Sequence, residues 1–161
     1  MKIALYFFLL MFCSPVTAQE VTFAVRQLTP ETALKLAQAA LQACQKEGFQ
    51  VAVAVSDRAG VLQVLLRDRF AGPHTVDVAS NKAWTAASFR QDTLTLSRVT
   101  ADPLTGGQRY FSRFVAVGGG LPVNAGGALV GAIGVSGAPG GEADERCARA
   151  ATNLIQDELD F

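Results

Sequence analysis

Apolar residues recur at helical spacing through Ala33, Leu34, Ala37, Ala40, Leu41 and Cys44, a stripe that predicts an amphipathic helix. Thr29 is placed to cap it, Pro30 to fill its first position, and Gly48 to end it. The period then drops to two. Phe49, Val51, Val53 and Val55 share one face of a strand, with Ala52 and Ala54 on the other. Asp57-Arg58-Ala59-Gly60 suits a type I turn, and Val61 to Arg67 returns as the second arm of a hairpin. After a loop over Asp68–Pro73, Thr75 to Phe89 reads as a helix whose face of Val76, Ala79, Ala83, Ala86 and Ala87 is small enough for close packing. Asp92 is placed to cap a shorter helix carrying Leu94, Leu96 and Val99.

The carboxy-terminal third is ordered around its glycines. Ala101 to Gly107 is rich in turn formers. Tyr110, Phe111 and Phe114 form an aromatic cluster, and Val115 to Val117 reads as a strand that runs into Gly118-Gly119-Gly120. Leu121 to Asn124 is a short strand that Pro122 restricts to a strand start or an edge. Ala125-Gly126-Gly127 suits a tight hairpin turn. Ala128 to Ser136 has no polar face, as expected of a central strand covered on both sides, and Gly131 and Gly134 leave room there for a helix or a ligand. A last helix runs from about Glu142 to Leu159, buried through Cys147, Ala151, Leu154 and Ile155. Hairpins and intervening helices together predict an α+β fold, with an antiparallel sheet of about five strands packed by helices.

The first residues have a different character. Lys2, the apolar run Ile3–Phe12 and the small residues Val16-Thr17-Ala18 match a cleavable export signal. The domain reading is a signal peptide over 1–18 cut after Ala18, an extended leader over 19–28, and one domain over 29–161. In the leader, Val21, Phe23 and Val25 alternate with Thr22, Ala24 and Arg26, so it can add an edge strand or dock on a neighbour. A periplasmic or secreted location follows from that reading. Cys44 and Cys147 then meet an oxidising compartment. They are a candidate disulfide or two buried thiols, and both alternatives stand.

The 161-residue chain balances 14 basic against 14 acidic side chains, without basic runs. That argues against a nucleic-acid binder. No segment downstream of the signal is long and apolar enough to span a bilayer. A phosphate-binding P-loop, a dinucleotide-binding glycine turn, a nucleophile elbow and a C-x-x-C-H haem attachment site are all missing.

One longer pattern resembles a known family. Gly-Gly-Gly-Leu-Pro-Val at 118–123, Val-Gly-Ala-Ile-Gly-Val-Ser-Gly at 130–137 and Asp-Glu-Arg-Cys-Ala at 144–148 are similar to the GlcG/HbpS-like family. Arg69-Phe-Ala-Gly-Pro-His-Thr and Lys82-Ala-Trp-Thr-Ala-Ala-Ser-Phe89 extend the resemblance across Leu28–Leu159. That family includes secreted haem-binding proteins and the carboxy-terminal domain of PduO-type corrinoid adenosyltransferases. The resemblance implies a profilin-like or GlcG-like single domain, non-covalent binding of haem or another tetrapyrrole, and a homo-oligomer. The alternatives it leaves are an accessory or catalytic protein for a small organic acid or corrinoid, and a structural assembly module.

His74, the single histidine, stands at the mouth of a helix, where an imidazole can give a lone pair to haem iron or cap its own helix. Lys82, two helical turns on, is either a propionate partner on the same face or a solvated charge. Arg69 is a second candidate partner for a carboxylate, or a surface residue at a strand end. Gly118, Gly119 and Gly120 can offer backbone N–H groups to an anion or merely turn the chain. Tyr110 is a phenolate candidate or a core aromatic. Where many relatives carry Asp-Gly-Ala after the second strand, this chain has Phe70-Ala71-Gly72-Pro73, a more apolar entry that suits a porphyrin.

Overall fold

The computed structural model describes residues 21–159. The expected signal peptide and the start of the leader lie outside the described residues. Four helices surround one sheet: α1 is Pro30–Lys46, α2 is His74–Phe89, α3 is Thr93–Val99 and α4 is Gly141–Leu159. The strands are β1 (Ala52–Asp57), β2 (Leu62–Arg67), β3 (Gly120–Ala125) and β4 (Ala128–Ser136), in the order β2-β1-β4-β3 with every pair antiparallel. The helix caps follow their sequence signals. Thr29 accepts from the Thr32 N–H and Asp92 from the Thr95 N–H.

The sheet has four strands among the described residues, not about five. Val115–Val117 does not pair, because threonine side chains take its backbone groups. The Val115 N–H donates to Thr85 Oγ1 at 3.0 Å, and Thr93 Oγ1 donates to the Val117 carbonyl at 2.7 Å.

The two faces of the sheet are packed differently. Val51, Val53, Val55, Ile133 and Val135 form the main core with α1 and α4. Val130 joins them although its place in the alternation points it the other way. Pairing steps from Val123–Gly131 to Asn124–Leu129, so Val130 is the extra residue of a β-bulge and is turned round. On α1 the fully buried leucine is Leu36, whereas Leu34 is 40 % exposed.

The opposite face is nearly flat. Ala52 and Ala54 pack on Ala79 and Ala83, and Ala132 packs on Ala86 and Ala87. A Cβ at Gly134 would lie 2.1 Å from the Ala79 carbonyl oxygen and 2.6 Å from the Ala83 nitrogen. The space at Gly134 is therefore filled by the backbone of α2, not by a ligand. Across the main core, Cys44 of α1 and Cys147 of α4 are joined by a disulfide with Cα atoms 5.3 Å apart.

Candidate functional site

Two sets of polar residues stand out on α2, one at each end of an eight-residue interval. The first lies in the loop before the helix and at its first residue. Thr75 holds that turn, with its hydroxyl and its N–H both donating to the Gly72 carbonyl at 2.6 and 3.0 Å. His74 is exposed at the helix mouth, and its ring folds back over Gly72, where a Cβ would meet His74 Cε1 at 2.7 Å. The imidazole makes no hydrogen bond to another described residue. Phe70 is 79 % exposed, with the Arg69 guanidinium 5.9 Å from its ring centroid. One turn thus presents an imidazole, a flat apolar ring and a cation to solvent. Gly72 is the position that gives the imidazole room.

The second set is buried. Lys82 is 1 % exposed; its ammonium donates to Asp144 Oδ2 at 2.7 Å and to the Val135 carbonyl at 2.8 Å. Asp144 Oδ1 accepts from the Ala138 N–H at 2.9 Å. Loss of hydration lowers the Lys82 pKa and raises that of Asp144, while their mutual attraction opposes both shifts. Lys82 is therefore neither a propionate partner nor a solvated charge. Eight residues at about 100° each leave the two side chains roughly 80° apart around the axis. His74 falls on the solvent side and Lys82 on the sheet side.

The triple glycine belongs to this buried set. A Cβ at Gly119 would lie 2.7 Å from Asp144 Cβ and 3.0 Å from Lys82 Nζ, and Gly119 has a φ of +115°. The Gly120 N–H donates to Thr93 Oγ1 at 2.8 Å, and the Gly119 carbonyl accepts from Val135 at 2.9 Å. A Cβ on Gly118 would meet the Gly141 carbonyl oxygen at 2.7 Å. Gly118–Gly120 is thus a packing junction between α2, α3 and α4, buried throughout, and not an anion cradle open to a ligand. Asp144 and Thr93 were missed as partners. The signal for Asp144 was the Lys82 position itself, three residues after Ala79 and four before Ala86 within the small-residue stripe. A lysine on that face needs a buried anion.

Tyr110 is neither core nor close to the His74 turn in the chain. It ends the 3₁₀ turn Gly106–Tyr110 and is 90 % exposed. A cleft of about 480 Å³ runs beside it, and another of about 360 Å³ lies between α1 and α4; neither is lined by His74 or Arg69. Among the described residues no group of three or more His, Cys, Asp or Glu could hold a bare metal ion. No helix there is long and apolar enough to cross a membrane.

Comparison with known proteins gives the family of the chain. Residues 28–153 match a family model described as haem degrading protein HbpS-like. A curated relative from Citrobacter freundii, an uncharacterized 15.0 kDa protein in the dhaT-dhaS intergenic region, is 33% identical over 119 residues, 70% of this chain and 82% of its own. A double mutant of HbpS from Streptomyces reticuli superposes with a TM-score of 0.80 at 40% identity, covering 88% of this chain and 97% of that one. Protein ORFY of Klebsiella pneumoniae gives 0.79 at 29% identity, covering 86% and 97%. PduOC, solved as a heme complex, gives 0.74 at 30% identity, covering 80% and 95%. The shared sheet, the helices around it and the family match over most of the sequence have one reading: this chain belongs to the HbpS-like family.

Proposed function

We propose that this chain is an exported, non-covalent haem-binding protein in which the His74 imidazole is the iron ligand. The observation that carries the reading is the exposed, uncommitted His74 ring beside Phe70 and Arg69. These residues fit the group: a nitrogen donor for iron, an aromatic face for the porphyrin plane and a guanidinium for a propionate. Lys82 and Gly118–Gly120 have no part in it, being committed to the interior. The heme complex of PduOC supports the ligand class. Bound haem would supply a redox-active iron; the chain's own residues hold and orient it.

Export is supported by the Cys44–Cys147 bond, of a kind that persists where thiols are not kept reduced. The mass of the chain recovered from a periplasmic or culture fraction checks this, with a start at Gln19 expected. Sensing, scavenging and buffering are all served by reversible binding of this kind.

The test of the ligand is a hemin titration followed by absorption. A saturable Soret band is expected, with affinity at least tenfold weaker in His74→Ala, about 1.4 kcal/mol. An unchanged spectrum and affinity in that variant would remove His74 from the role. Steady loss of the band under a reductant in air would add haem degradation, which the family description names. No saturable change at all would leave the small-acid or corrinoid reading in its place.

A further inference from the structure

Residues 21–27 precede the domain as an exposed arm without helix or strand. Leu28 anchors it: the side chain enters the main core, the N–H donates to the Val130 carbonyl at 3.0 Å, and the carbonyl accepts from Gln63 Nε2 at 3.1 Å. Beyond the anchor, Val21, Phe23 and Val25 are 95 %, 83 % and 46 % exposed. Residues two apart share a face of a strand, so the arm, once paired, would present these three on one side, where its own chain leaves Val21 and Phe23 almost uncovered.

The sheet has a surface of the matching kind. β2 lies at one edge of the sheet. The Asp68 N–H donates to the Val51 carbonyl at 2.9 Å, which sets the phase of the β1–β2 ladder. Alternation then turns the backbone groups of Val64 and Leu66 toward β1 and leaves those of Leu65 and Arg67 pointing outward, while Gln63 is passed over where the register shifts from Val55–Val64 to Ser56–Leu62. The face toward the main core is apolar, while the other carries Gln63 and Arg67 on either side of Leu65. Val64 and Leu66 flank the main core, Leu65 flanks the α2 side, and Leu62 is 46 % exposed. The opposite edge, β3, carries Pro122, which has no N–H to give. An unpaired edge strand without proline, apolar on one face, invites an added strand. The arm and the β2 edge lie in the same chain and do not meet in it, so the partner that joins them is another copy.

We propose that residues 21–27 of one copy pair as a fifth strand on β2 of a second copy. Val21, Phe23 and Val25 then lie beside Val64 and Leu66, on the face covered by α1. The interaction goes beyond the haem reading and is independent of it.

The test uses two variants of the full chain. Phe23→Glu spoils the arm and lies outside every core, so the domain folds as before. Arg67→Pro removes an outward N–H from the edge while the β1 ladder stays intact. Sedimentation velocity over a dilution series is expected to show self-association weakened at least tenfold in each variant alone. Mixing the two, differently tagged, restores one good arm and one good edge and is expected to recover a mixed pair. Self-association unchanged by Phe23→Glu would overturn the proposal, and so would a mixture that stays apart. An arm protected from hydrogen exchange in a monomer would also overturn it, since that is pairing within one chain.

Discussion

Lys82 and Asp144 occupy a place where burial disfavours charge on either of them. Each is tolerable only because the other is 2.7 Å away. Such a pair need not add net stability, yet removing one member strands a charge in the core. Lys82→Met is therefore expected to cost about 3–5 kcal/mol. Lys82→Met combined with Asp144→Asn is expected to cost clearly less, because Asn still accepts from the Ala138 N–H. Urea midpoints of the two singles and the double check this; additive losses would contradict it. The pH dependence follows from Asp144. Its folded pKa is raised above 3.8, so the folded state binds more protons in the window above that value. The contribution of this group is fully present below 3.8 and is lost as pH rises through its folded pKa. Wild type should therefore lose stability relative to Asp144→Asn as pH is raised out of that window, measured by melting at a series of pH values.

At the scale of elements, the contact between α2 and β4 is the most demanding. Gly134→Ala would drive a methyl into the helix backbone at 2.1 Å, and about 3 kcal/mol of destabilisation is expected, the upper end of ordinary overpacking. Gly107→Ala, with nothing within 4 Å, is the control and should stay within about 0.5 kcal/mol. Thermal melts of the two compare them directly. The elements were legible because their periodicities are strong and their caps unambiguous: Thr29, Asp92, the Gly126-Gly127 turn and the glycine-bearing β4 all sit where the pattern puts them. What was not legible depends on groups distant in sequence. Val115–Val117 has the composition of a strand, but Thr85 and Thr93 take its backbone groups. Val130 obeys its alternation until a bulge reverses it. Leu34 and Leu36 differ only by a rotation that spacing over one helix does not fix. The candidate site was half legible: the position of a lone histidine at a helix start is visible in the letters, whereas the commitment of Lys82 to Asp144, 62 residues away, is visible only once the helices are placed.

For the whole molecule, the disulfide is a long-range constraint on the core, joining cysteines 103 positions apart in sequence. In the chain-entropy description, closing a loop of that size stabilises by roughly 4–5 kcal/mol. Reduction, or Cys44→Ala with Cys147→Ala, should lower the unfolding free energy by about that amount in denaturant titrations. A shift below about 1 kcal/mol would show that the reduced chain already holds α1 and α4 together without it.

The bond also completes a sequence of fastenings. α2 is bolted to α4 through Lys82 and Asp144, and α4 to α1 through Cys147 and Cys44. The imidazole at the tip of α2 therefore rides on a rod clamped about 12 Å behind it. The tip is thus backed by three linked helices, so haem, if it binds at His74 as proposed, would meet a stiff mount instead of a hinge.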